Sequence, residues 1–379
     1  MKNKIFIILL ILKINSIFAQ VDKNIYKLNS TNNNLLTEQV KEIIDKNLTD
    51  KKVVFLGESE HHIGSEFLIK TEFVKYLVLE KGYRDIAFES DFFALFYEHN
   101  KKNILGIWSN SVQCQELFSF LSDNNVTIWG FDNQMFSPYA YYNFSIKLKE
   151  FLSENNIEFN EKLIHLSDIV VKSRFDLSKK MNDKDLHYLT ENIDRILKDA
   201  KIQSSPIWNQ ILKSFRSSID MYISKNHTQG IAIRDAQMAK NLDFLVKTMP
   251  NKKFIVWLAN AHMAKYEYDF MKGQTMGGQF VNINPGISYH IAISTIHMPY
   301  RKNKWIEKIS KDNGNLLHFL PSTKNNYFID SKELIKENPD FAEKEYVGMF
   351  NLKKKKTNWF KHFDALVFIS KGEKVKFLE

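Results

Sequence analysis

Val53-Val54-Phe55-Leu56-Gly57-Glu58-Ser59-Glu60-His61-His62-Ile63-Gly64-Ser65-Glu66-Phe67 is the stretch from which the fold of this chain can be read. It opens on four apolar residues and a glycine, with Val twice, which predicts a buried strand. Two acids and two histidines follow within five residues. From about Ile63 the apolar spacing becomes helical through Phe67, Val74, Leu77 and Val78, and Gly82 supplies a stop. In an open α/β sheet, ligands bind in the crevice beyond the carboxyl ends of the strands. Glu58, Glu60, His61 and His62 stand at that position. A single acid with a single histidine would read as a polar surface turn. Two of each at that point favour chemistry.

Working outward, further strand signals repeat the pattern. Arg84 to Glu89 (RDIAFE) is a short strand ending on an acid, followed by an aromatic helix from Phe92 to Tyr97. A helix over about Val112 to Leu121 leads to the strand Val126–Phe131, which ends at Asp132-Asn133-Gln134. Strands joined by helices make βαβ units and hence a largely parallel sheet flanked by helices, an α/β fold. Three strands ending on Glu58, Glu89 and Asp132 bring three acids to one crevice edge.

From Tyr139 to Gln229 strand signals cease. Apolar residues recur at helical spacing in four runs, among them Leu186-Leu189-Ile193-Ile196 and Ile207-Ile211-Phe215-Ile219. We read residues 139–229 as a helical insertion forming a wall or lid over the crevice. His165, His187 and His227 are assigned to its surface or helix ends. Gly230 then opens a helix with Arg234 and Asp235 in its first turns and a core face of Met238, Leu242, Leu245 and Met249. The buried strand Phe254–Leu258 ends at Ala259-Asn260-Ala261-His262, carrying Asn260 and His262 to the same edge. The Gly-rich run Lys272–Gly278 lacks the phosphate-loop pattern and is expected to be a mobile crevice loop. Ser288–Thr295 alternates as a strand with His290 structural. Short strands are expected near Tyr327–Ile329, Tyr346–Phe350 and Ala365–Ile369.

The formal charge is +9, and Lys2, Lys4 and Lys13 account for three of those charges within the first nineteen residues. Acids are spread among the remaining bases, so no nucleic-acid footprint is expected. Lys2 and Lys4 precede the apolar run Ile5–Leu12, too short to span a bilayer, and Ala19 offers a cleavage point. Residues 1–19 are therefore expected to be a signal peptide, with residues 20–379 an exported domain in the periplasm or medium. No later run predicts stable membrane insertion after cleavage. Residues 20–34 read as a linker. Cys114 is the only cysteine, so no internal disulfide can form, and its apolar-periodic setting predicts a small packed side chain.

The chemistry-bearing set is Glu58, His61, His62, Glu66, Glu89, Asp132, Arg234 and His262. A histidine oriented by a carboxylate can deprotonate water near neutral pH. Arg234 or His262 could stabilise an oxyanion. That combination suits water-mediated cleavage of an ester without a cofactor. Neither a Gly-x-Ser-x-Gly elbow nor a Cys-His pair supports an acyl-enzyme. The same inventory could hold a divalent metal, and His62 and Glu66 share a helix face if the helix has begun there. No His-Glu-x-x-His occurs, so no metal ligand is assigned.

Several motifs stand in a recognisable order: Gly57-Glu58-x-x-His61, the strand ending at Glu89, Trp108 before the Gln115–Asn125 helix, Gly130-Phe131-Asp132-x-Gln134, Arg234-Asp235-x-x-Met238-Ala239-x-Asn241, and Trp257-x-x-Asn260-Ala261-His262. Over roughly residues 50–300 this order resembles the erythromycin esterase family. The resemblance implies an α/β hydrolytic enzyme with a helical insertion, whose named reaction is water attack on a macrolide lactone. It also implies His61 as general base, Glu58 and Glu89 as orienting carboxylates, and Arg234 and His262 as transition-state stabilisers. Two departures stand out. Ala259 occupies the place of the first histidine in the family's His-Asn-x-His. The segment from His61 to Glu66 is one residue longer, so that His62 could take the role assigned to His61. Three readings follow: an exported hydrolase of a small-molecule ester or lactone, a metal-dependent hydrolase of another bond, and a non-catalytic envelope binding protein on the same fold.

Overall fold

The computed structural model describes residues 23–30, 34–266, 274–353 and 355–379. The expected signal peptide lies outside the described residues. Ten strands occur among them: β1 (Ile25–Leu28), β2 (Val53–Glu58), β3 (Asp85–Asp91), β4 (Thr127–Asp132), β5 (Phe254–Ala259), β6 (Ser288–His297), β7 (Asn326–Asp330), β8 (Tyr346–Val347), β9 (Lys356–Thr357) and β10 (Ala365–Lys371). Eight form one sheet in the order β1-β7-β10-β6-β2-β5-β3-β4, and β8 pairs with β9 alone. Every pairing from β10 through to β4 is parallel, whereas β7 runs antiparallel to both β1 and β10.

The central strands are apolar on both faces because helices cover both faces. Val53 and Phe55 of β2 join one core, while Val54 and Leu56 join the other. The second core lies beneath α1 (Glu38–Leu48), α2 (Gly64–Lys81) and, beyond α3 (Phe92–Tyr97), α4 (Gln115–Asp123). The first core continues into the long helices that follow β4: α5 (Pro138–Glu154), α6 (Glu161–Ser173), α7 (Asp183–Leu197) and α8 (Pro206–Ile223). Next come α9 (His227–Thr248), which returns the chain to the sheet, the single turn α10 (Asn260–Met263) and α11 (Met276–Ile283). Gly82, at φ 70°, closes α2 in the left-handed conformation that a Cβ disfavours.

Several expectations need correction. Part of the expected linker is the edge strand β1, held because its backbone completes the exposed side of β7. The Gly-rich run is not a loop from Met276 onward, and Lys272 and Gly273 fall outside the described residues. Thr275 caps α11, and a Cβ on Gly277 would stand 2.4 Å from the Met263 carbonyl oxygen. The glycine there serves close helix packing rather than mobility. The strand expected over Tyr346–Phe350 stops at Val347, and the helix expected from Val112 begins as a 3-10 turn before Gln115. His227, not Gly230, opens α9.

Gly57 carries a sharper constraint. A Cβ there would lie 2.2 Å from Asn260 Oδ1 and 2.7 Å from Met263 Cε. Asn260 cannot yield, since its Nδ2 donates to the carbonyls of Ile293 and Met349, each at 2.9 Å. Gly57→Ala is expected to destabilise the protein by about 1–3 kcal/mol through overpacking. An unchanged urea midpoint would show that the end of β5 moves freely.

Candidate active site

Each candidate side chain sits at the carboxyl end of a strand or on the helix that crosses it. Glu58 ends β2, Glu89 lies near the end of β3, Asp132 ends β4, and His262 sits in α10 immediately after β5. These four strands are neighbours in the order β2-β5-β3-β4, so the acids line one edge. Arg234 reaches that edge from the second turn of α9.

Two charge clusters result. In the first, Glu58 is fully buried, with one carboxylate oxygen 2.9 Å from His61 Nδ1 and the other accepting from Lys70 Nζ. Lys70 is itself fully buried, donates to the Leu258 carbonyl at 3.2 Å, and lies 3.9 Å over the Trp257 ring. Burial pulls the Lys70 ammonium below its ordinary pKa, against the pull of Glu58. His61 is half-buried, with its ring edge-on to Trp108 at 5.3 Å. Burial would lower its pKa, but the Glu58 hydrogen bond and the charges of Glu89 and Glu58 together hold it above the usual imidazole value.

The second cluster is centred on Arg234. Its guanidinium donates to both Asp132 oxygens, at 2.6–3.2 Å, and to Glu89 Oε1 at 2.7 Å. Burial opposes the charge, but Asp132 and Glu89 outweigh it and raise the Arg234 pKa further. Glu89 also accepts from the Ala259 backbone N–H at 3.2 Å. Burial would raise the Glu89 pKa, yet the charges of His262 and Arg234 bring it down to about 2. His262 donates from Nδ1 to Asp235 at 2.7 Å and places Nε2 3.5 Å from Glu89 and 3.4 Å from Arg234. Against the effect of burial, Asp235 and Glu89 lift the His262 pKa to about 9. The carboxylates of Asp235 and Glu89 thus favour the protonated form of His262.

Other residues of the predicted set lie elsewhere. His62 is exposed and borders an outward-facing cleft with Glu60 and Lys374. Glu60 pairs there with Asn351 and Lys353. Glu66 turns inward to accept from the Ser59 N–H and hydroxyl at 2.6 and 2.8 Å, and burial raises its pKa to about 7. It therefore shares no site with His62. Asn260 is a structural clamp on the strand ends. His165, His187 and His227 are exposed, and His290 is buried against the Met263 carbonyl with its pKa driven down to about 3 by burial. Cys114 is a packed thiol whose pKa burial raises to about 12. Among the described residues no three His, Cys, Asp or Glu side chains are arranged to hold a metal ion. The same acids are instead engaged by Arg234, Lys70 and the imidazoles.

Sequence reasoning left Lys70 and Asp235 without roles. Both had a visible signal. Lys70 interrupts the apolar face of α2 between Phe67 and Val74, and Asp235 sits one turn before Met238 on the core face of α9. A charge on a buried face requires a partner. The tail contact had no such signal. The Lys376 carbonyl accepts from the Val112 N–H at 2.7 Å, and the Val375 N–H donates to the His62 carbonyl at 3.1 Å, strapping the tail against the loop that bears His61.

The family model for erythromycin esterase matches residues 78–298, more than half of the chain. This chain belongs to the erythromycin esterase family. A Bacillus subtilis (strain 168) protein named as a candidate hydrolase, YbfO, is 23% identical over 276 residues. That match covers 60% of this chain and 60% of the relative, so the chain spans well under the full length of the curated relative it matches. Among solved structures, a Bacillus cereus protein superposes with a TM-score of 0.73 at 17% identity, covering 96% of this chain and 99% of the other. An erythromycin esterase mutant, EreC in its open conformation, superposes at 0.67 with 13% identity, covering 94% and 99%. These identities speak for the fold alone.

Proposed function

We propose that this protein hydrolyses a carboxylic ester or lactone by water attack, with His61 as general base. The observation that carries this reading is the pairing of two unlike histidines at one strand edge. His61 is held by Glu58 through Nδ1, which leaves Nε2 to take a proton. His262 is taken as the cation, with Asp235 at 2.7 Å and Glu89 at 3.5 Å favouring its protonated form. Water gives its proton to His61 Nε2 as its oxygen attacks the carbonyl carbon. The oxyanion forms against the Arg234 and His262 cations, and the departing alkoxide takes the proton back from His61. Glu89 orients both cations. No step needs an acyl-enzyme.

Export is part of the proposal, resting on the charged and apolar residues of the first nineteen positions. No helix among the described residues is long and apolar enough to cross a membrane. Whether the ester is a macrolide is decided by incubating the purified protein with erythromycin and with simple esters. The expected result is the gain of one water by mass spectrometry on at least one of them. No gain on any ester would end the hydrolase reading.

The pH profile provides a second test. His61 must be neutral to accept a proton, so kcat/KM is expected to rise with pH through a value above the imidazole norm of about 6.5. His262 must keep its proton, so activity is expected to fall as pH passes about 9. A rate still climbing beyond that point would show that turnover does not depend on a protonated His262.

A further inference from the structure

A cleft of about 510 Å³ opens beside the charge clusters, and both Glu89 and Arg174 line it. Arg174 follows α6 with φ 51° and ψ −119°, a backbone geometry disfavoured for any residue bearing a Cβ. Its guanidinium lies 5.0 Å over the Phe136 ring and gives one hydrogen bond, at 2.9 Å, to the Phe136 carbonyl. Arg174 Nε is buried without a hydrogen-bond partner, and so is the Tyr222 hydroxyl on α8. The ring of Phe175 packs edge-on to Tyr222 at 5.5 Å. Tyr222 also lies within electrostatic reach of Arg174, Arg234, Asp91 and Asp132.

The other charges of this cleft are already engaged. Glu89 pairs with Arg234, Lys102 pairs with Glu98 at 2.9 Å, and Asp91 accepts from Ser137 Oγ at 2.6 Å and from the Ala94 N–H at 3.0 Å. Among the described residues no carboxylate forms an ion pair with Arg174. A guanidinium that lines the cleft beside Glu89, with one donor unbonded and no carboxylate paired to it, is a receptor for an anionic oxygen.

We propose that Arg174 binds a carboxylate carried by the substrate, so that the ester cleaved is one whose acyl or alcohol half is itself acidic. The inference rests on the hydrolytic reading above and adds its substrate class. The guanidinium fork suits a carboxylate, and the Phe136 carbonyl and ring hold it at the cleft wall. The insertion thereby selects substrates, while the strand edge supplies the chemistry.

Mono-4-nitrophenyl adipate and 4-nitrophenyl hexanoate form a matched pair, differing in one terminal carboxylate. Wild-type protein is expected to favour the adipate ester in kcat/KM by about tenfold or more, the scale of one charge-assisted pair. Arg174→Gln should erase that preference through KM and leave hexanoate cleavage within about twofold, since it touches no reacting atom. Arg174→Gly accepts the positive φ without strain and serves as the folding control. Equal rates on the two esters, or a preference that survives Arg174→Gln, would overturn the proposal. Calorimetric titration with adipate separates this inference from the hydrolase reading. Adipate binding that disappears in Arg174→Gln supports the carboxylate site even where no ester is cleaved. Absence of adipate binding to the wild type sinks it even where esters are cleaved.

Discussion

Arg234→Leu is expected to cost about 3–5 kcal/mol of stability, the scale of breaking a buried ion pair by removing one partner. Glu89 and Asp132 are 1% and 2% exposed at their side chains, and Arg234 touches both. Its loss strands two carboxylates in a dehydrated setting, with His262 the nearest remaining cation to Glu89. The same substitution removes the proposed oxyanion partner, so turnover should fall by a further factor of about 10²–10³ in any protein that stays folded. Arg234→Lys separates the two effects. A lysine keeps the charge but cannot reach Asp132 and Glu89 with one planar fork, so stability should recover in part and activity little. Urea unfolding and ester turnover measured on both variants check this. Full stability in Arg234→Leu would mean that the acids take up protons at no cost, and that the cluster does not tie α9 to the sheet.

His61→Asn should leave the fold intact and lower kcat/KM by about 10²–10⁴, the range that a positioned general base supplies. The side chain is 33% exposed and rests edge-on against Trp108, so little packing is lost. His62→Asn should change turnover very little, because that ring faces the outward cleft beside Glu60. Together the two variants decide which histidine serves as base, the ambiguity that the extra residue between His61 and Glu66 creates. Equal losses in the two variants, or none in either, would leave the proposed base without support. Lys70→Met provides a related reading, since it would loosen Glu58 and shift the acid limb of the rate profile while sparing the imidazole itself.

Much of the scaffold is legible in the residues. Apolar runs with β-branched members marked β2 through β6, and each acid that ends one of those strands stands at the crevice edge in the structure. The periodicity of residues 139–229 marked the long helices. What escaped depended on contacts distant in the chain. Nothing local to Ile25–Leu28 states that β7 has an open edge awaiting it. Glycines at Gly277 and Gly278 read as a loop, because the helix they belong to exists to pack on Met263. The partner of His61 was legible, three residues away; the ammonium behind that partner was not, because a lysine on an apolar face is explained only by the carboxylate it meets. His61 meets Glu58 while His62 borders the outer cleft, and adjacency in the chain states nothing of that division.

The position of β5 also has a bearing on how the molecule is assembled. Its register runs from Val53–Glu58 of β2 on one side to Asp85–Phe88 of β3 on the other, yet it enters the chain only after β4 and the helical excursion. Until that late segment slides between them, β2 and β3 have no shared neighbour, and Glu58 and Glu89 have no common floor. The contact order of this step is high, so it should be a slow event in folding. Ala259 to His262 arrive with β5, so closure of the sheet and assembly of the proposed catalytic edge become one event. A chain arrested before that insertion would hold most of its helices and none of its chemistry. Refolding experiments should therefore recover helical signal well before they recover ester cleavage.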